Sequence, residues 1–170
     1  MKWCYTDYIF TILDYFSVIR KGEFVFEWIT PLFVAAATYC FSQSHLHLTE
    51  DVIKSFVSVL TNVFAILVGF TIAAIAIFTT ADYEKNEILA KQSGRQIQGK
   101  GISYFRFVYI NLIFSSVIGL LMLVLCLVVF LLTPCLKEDV ILSVLIFGAL
   151  LNILLALRNT TNLYFIFFRP

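Results

Sequence analysis

Residues 55–80 read SFVSVLTNVFAILVGFTIAAIAIFTT, an unbroken run without a charged side chain. At about 1.5 Å per residue, a helix of this length outreaches the ~30 Å hydrocarbon core of a bilayer. The run extends back to about Val52, so the span predicted over 52–80 must tilt or protrude. Small residues recur along it at Ser58, Ala65, Gly69, Ala73 and Ala76. Ala65, Gly69 and Ala73 fall on one face, the pattern that lets helix backbones approach closely in lipid. Asn62 continues that face one turn earlier.

The run opens directly into the one long polar segment, 82–106, DYEKNEILAKQSGRQIQGKGISYFR. It is basic through Lys85, Lys91, Arg95 and Lys100. Its first part, to about Lys91, reads as a helical prolongation; its second part, with Gly94, Gly99 and Gly101, reads as a mobile arm. These glycines follow no strand and precede no GK[ST], so they do not form a phosphate loop.

Composition agrees with a lipid environment. Hydrophobic residues make up 61% of the chain and charged residues 14%, and phenylalanine alone occurs 18 times. A soluble domain carries about a quarter charged residues, and a chain this short cannot hide so much apolar surface from water. The net charge of +1 supplies no concentrated basic face for nucleic acid. The expected architecture is all-α and polytopic, with spans over about 24–41, 52–80, 107–133 and 140–157. A segment over 1–23 precedes them. Proline 134 closes the third span, and the tail after Arg158 either prolongs the fourth helix or turns along the interface with Tyr164, Phe165, Phe167 and Phe168.

Residues 5–20 read as an amphipathic helix in the membrane surface. Asp7, Thr11, Asp14, Ser17 and Lys21 share one side; Tyr8, Ile9, Ile12, Leu13, Phe16 and Ile19 cover much of the rest. The polar side is either a plain interfacial anchor or a docking face, for a partner or for the basic arm of this chain. Asp7 and Asp14 interrupt the apolar stretch, so it does not read as a secretory signal. Within the first span, Glu27 is expected in the first turn, beside the headgroups, where the helix dipole tolerates a carboxylate. Pro31 lies in the first turn or kinks the helix.

The basic residues set the orientation. Ten of them (Lys2, Arg20, Lys21, Lys85, Lys91, Arg95, Lys100, Arg106, Arg158, Arg169) fall on one side of the four spans, and Lys54 and Lys137 on the other. The bias predicts that both termini lie in the cytoplasm. In a bacterium this is the inner membrane.

Catalytic signatures are not found. The outer-loop pair His45 and His47 lacks a third strong ligand at metal spacing, so a solvated loop is expected and no metal or cofactor. Neither a Ser/His/Asp nor a Cys/His set can be assembled, and the chain reads as a non-enzyme. Of the four cysteines, Cys40 and Cys135 fall near the same outer face and could pair, while buried cysteines act as small hydrophobes. The spans lack central charges, which argues against proton relays and voltage sensors. Their polar content is Asn62, Asn111 and Asn152, each needing a partner in lipid: interhelical glue, or the lining of an oligomeric pore. Gly148, Asn152, Ala156 and Thr160 share one face of the fourth span, and Ser115 and Gly119 form a second close-packing pair on the third.

The segment before Phe24, the run at Asn62 to Thr80, the basic loop through Lys85, Lys91 and Arg95 and the turn at Pro134 resemble small four-span membrane proteins of bacterial phage-defence systems. The membrane subunits of Kiwa systems are the nearest, and RexB-type exclusion proteins come second. The first resemblance implies a homo-oligomer that senses membrane disturbance and holds a cytoplasmic effector on the 82–101 arm. The second implies a depolarising channel. A third reading is an accessory subunit that folds only within a larger membrane complex.

Overall fold

The computed structural model describes residues 4–45, 49–80, 87–97, 99–132 and 137–168. Four helices are long and apolar enough to cross a membrane: Lys21–Ser44, Glu50–Thr80, Tyr104–Leu132 and Glu138–Phe165. The chain is thus an all-α, multi-pass membrane protein with a short helix, α1 (Cys4–Val18), ahead of the spans.

The first span is not one regular helix. It begins as α2 (Lys21–Phe24), widens into a π turn (Val25–Ile29) and resumes as α3 (Thr30–His45). Pro31 explains the widening. Its ring crowds the carbonyl four residues back and it donates no N–H, so a regular turn cannot pass through it. Instead the Thr30 N–H reaches the Val25 carbonyl, a five-residue closure.

Two long antiparallel helices, α4 (Glu50–Thr80) and α6 (Tyr104–Leu132), form the main seam, and α7 (Glu138–Phe168) packs against α3, α6 and α4. The tail after Arg158 continues α7, because nothing there breaks the helix before Phe168. α4 turns Ile53, Val57, Leu60, Phe64, Val68, Thr71, Ala74 and Phe78 inward. The Ala65, Gly69 and Ala73 ladder lies on the opposite, exposed face, and no side chain comes within 4 Å of where a Gly69 Cβ would stand. The expectation that this ladder is where helices meet is corrected within the chain: the small residues face outward, and the larger apolar side chains fill the seam.

Close approach occurs elsewhere. A Cβ on Gly119 would stand 2.5 Å from Val68 Cγ2, and one on Gly148 would stand 1.9 Å from Met122 Cε. Gly148 therefore belongs to the α6–α7 contact, and Asn152 beside it is buried, its Nδ2 donating to the Gly148 carbonyl at 2.9 Å. Ala156 is half-buried on the same helix.

Between α4 and α6 stand α5 (Glu87–Ala90) and an antiparallel hairpin, β1 (Gln92–Ile97) and β2 (Lys100–Ser103). This corrects the expectation of a mobile glycine-rich arm. Gly99 adopts φ +78° immediately before Lys100, the strand partner of Ile97, a conformation that favours glycine. Gly94 adopts φ +69° where the register slips between Gln92 and Gln96, a bulge that only a residue tolerant of positive φ accommodates easily. Ile97 and Ile102 then face inward, packed with Tyr15, Val18, Leu89 and Phe107.

Candidate functional site

The end of the bundle that carries α1 and the hairpin, called here the hairpin end, encloses four charged side chains. Glu23 comes from α2, Glu27 from the π turn, Arg95 from β1 and Arg158 from α7. Glu27 is only 3% exposed. Both Glu27 carboxylate oxygens accept from Arg158 Nη1 at 2.9 Å, and the Tyr15 hydroxyl donates to Oε2 at 2.5 Å. Glu23 Oε2 accepts from Arg95 Nη1 at 3.1 Å, from Arg158 Nη2 at 3.3 Å and from the Arg20 backbone N–H at 3.0 Å. Arg95 Nη2 pairs with Glu23 Oε1, and Arg95 Nη1 also donates to the Val18 carbonyl at 2.9 Å.

Two carboxylates and two guanidiniums cancel, so the cluster adds no net charge to the protein interior. Charges removed from water are tolerated only when paired and hydrogen-bonded. Here each carboxylate oxygen meets at least one donor. Aromatic faces complete the shell: the guanidiniums of Arg95 and Arg158 lie 5.0 and 5.6 Å from the Phe107 ring centre, and Arg158 lies 5.8 Å from that of Tyr15. Tyr15 stacks on Phe114 of α6 at 3.5 Å between centroids. Burial, and then the hydrogen bond to Glu27, push the Tyr15 phenol above its ordinary range, so it keeps its proton.

This arrangement corrects two expectations. Glu27 is not turned out toward headgroups but is buried against Arg158. Arg95 is not an open docking residue but points inward, its side chain 10% exposed. Lys91 and Lys100 do remain exposed on the hairpin side, and Lys85 lies outside the described residues. The polar side of α1 meets the arm of this same chain: Arg106 approaches Asp14 at 3.6 Å, and Val18 receives Arg95. The cluster had a legible signal. Glu23 and Glu27 are four apart on one helical face, and an even number of spans returns Arg158 to that end.

The asparagines divide. Asn111 is 2% exposed with neither side-chain atom bonded among the described residues, and the amide nitrogens of Asn159 and Asn162 likewise have no acceptor there. Asn62 is exposed, in mid-span on α4, beside a groove lined by Ser58, Thr61 and Cys126. Cys40 is a free, exposed thiol, while His47, Cys135 and the His45 side chain lie outside the described residues, as does any pairing of Cys40 with Cys135. Among the described residues, no group of three metal-binding side chains converges. No family model, curated protein or solved structure matches this chain.

Proposed function

We propose that this chain is the membrane-embedded scaffold and sensor subunit of a bacterial antiviral defence complex, oligomeric in the inner membrane, that recruits a cytoplasmic effector protein. One observation carries the reading. The hairpin is fastened to the first span by the Glu23–Arg95 pair, α1 by the Tyr15–Glu27 hydrogen bond, and the first span to the fourth by Glu27–Arg158, so relative movement of those spans displaces the hairpin. A sensor needs such a rigid link between membrane and water-facing surface. The exposed Lys91 and Lys100, with Gln92 and Gln96 beside them, offer the effector its contact.

Oligomerisation is supported by Asn62. An amide facing lipid in mid-span costs free energy unless a partner covers it, and Ala65, Gly69 and Ala73 on the same open face permit close approach of a second copy.

The test is a pull-down from the native host, with Lys91→Glu/Lys100→Glu against the parent chain. A soluble protein recovered with the parent and lost with the variant supports recruitment. An unchanged set of soluble proteins removes it. The same Asn62 favours a second reading, a depolarising pore lined by this face. Planar bilayers holding verified oligomers would conduct, and Asn62→Leu would alter the conductance; silent bilayers eliminate the pore.

A further inference from the structure

A cleft of about 180 Å³ at the hairpin end is lined by Arg20, Ser93, Arg95, Tyr104, Asn162 and two phenylalanines. Its polar groups are unbalanced. Arg95 is committed to Glu23 and Val18, and the Ser93 hydroxyl donates to the Ile102 carbonyl at 2.8 Å. The Arg20 guanidinium is exposed and meets no acceptor among the described residues. The Asn162 Nδ2 is buried and also lacks one. Among the described residues, no carboxylate lines this cleft. What it offers is therefore an excess of N–H and O–H donors and one uncompensated positive charge.

A buried amide donor without an acceptor is destabilising, so a ligand that supplies oxygen acceptors is favoured over an apolar one. A guanidinium matches the oxygens of a phosphate group in bidentate fashion. Position adds to chemistry. Arg20 immediately precedes the first span, Tyr104 opens the third, and Asn162 lies in the last part of the fourth. These are the levels where a spanning protein meets lipid headgroups. A neighbouring cleft of about 420 Å³ shares Asn162, but Glu23 and Glu27 line it and already occupy the Arg158 guanidinium there, which leaves an anion no free cation among its described lining.

We infer that the cleft between the α1–α2 link, the hairpin and α7 binds a phosphate group through Arg20 and Asn162. The group is that of an anionic lipid headgroup or of a free phosphate anion.

The full chain, purified in detergent, is analysed by native mass spectrometry with phosphatidylglycerol or phosphatidylcholine, and separately by phosphorus NMR with inorganic phosphate. Retention of phosphatidylglycerol over phosphatidylcholine, lowered about tenfold by Arg20→Gln and by Asn162→Leu, supports the site with lipid as its source. No lipid preference, but broadening of the inorganic phosphate resonance that Arg20→Gln abolishes, supports the site with the free anion as its source. Should Asn162→Leu fail to fold, Arg20→Gln decides, since an exposed side chain carries no packing. Neither form of binding, or binding that Arg20→Gln leaves unchanged, overturns the inference.

Discussion

The two ends of this bundle are held by different physics. At the far end, Ile53, Val57, Leu60 and Phe64 of α4 meet Met122, Cys126 and Val129 of α6 and Ile141 and Leu145 of α7, all apolar apart from one thiol. At the hairpin end a second apolar cluster surrounds four ionised side chains and a tyrosine. In lipid the far end gains little from the hydrophobic effect, because the tails around it are as apolar as its own side chains. Its cohesion is shape: close fit and dispersion. The hairpin end instead depends on charges that have no acceptable alternative partner once water is excluded. The first arrangement tolerates graded change and the second does not.

The largest effect expected is therefore at Glu27. Glu27→Gln leaves the buried Arg158 guanidinium only its longer 3.3 Å contact to Glu23, a carboxylate it shares with Arg95, a loss of about 3 kcal/mol. Thermal unfolding in detergent, followed by light scattering or tryptophan fluorescence, reports it. Replacing the pair together, as Glu27→Leu with Arg158→Met, should recover most of that loss, because a well-packed apolar pair often matches a buried ion pair. A single variant as stable as the parent would mean that the hairpin end is held by its apolar shell after all.

At the far end and along the bundle middle the graded response is testable on two glycines. Gly119→Ala sets a methyl against Val68, whose branched side chain is stiff in a helix, and is expected to cost about 1–3 kcal/mol. Gly148→Ala meets only the flexible end of Met122 and is expected to cost less, about 1 kcal/mol. Equal losses, read from the same unfolding curves, would show that α6 and α7 shift as bodies rather than by side-chain adjustment.

Tyr15 carries a smaller effect with a defined pH dependence. Tyr15→Phe removes one donor from Glu27 while both Arg158 bonds remain, a loss of about 1–2 kcal/mol. The phenol is pushed up in the folded state, so its contribution is fully present below the ordinary tyrosine range and is lost as pH rises through the raised value. In tyrosinate absorbance, one residue should resist ionisation until the fold is lost, and Tyr15→Phe should delete that resistant step.

The length of each apolar run made the four spans legible, because a bilayer of fixed thickness selects for it. Which face of α4 turns inward was not legible, since Leu60, Phe64 and Val68 differ little in polarity from Ile66, Phe70 and Ile77 outside. In water a polar face would have marked the outside; in lipid nothing does. The hairpin was half-legible. Ser93, Arg95 and Ile97 alternate as a strand facing one side requires, but three glycines outweigh six residues of alternation when the partner surface is unknown. The charge cluster depends on pairs separated by 72 and 131 positions in the chain, and only the requirement that a charge inside a membrane find its opposite could have joined them.

The smallest expected change sharpens the contrast between the inner and outer faces of one helix. Gly69→Ala adds a methyl where no side chain stands within 4 Å, so monomer stability should not fall, and helix propensity alone should raise it by about 0.5–1 kcal/mol. Any larger response must come from outside the chain. If the outer ladder is a seam between copies, Gly69→Leu lowers the oligomer fraction in mild detergent while leaving the monomer's unfolding curve in place. Gly119→Ala should do the reverse, since its methyl is spent entirely within one bundle. Identical oligomer fractions for the parent chain and Gly69→Leu would leave Asn62 facing lipid alone, and the cost of that exposure would have to be met by water drawn to Ser58 and Thr61 beside it.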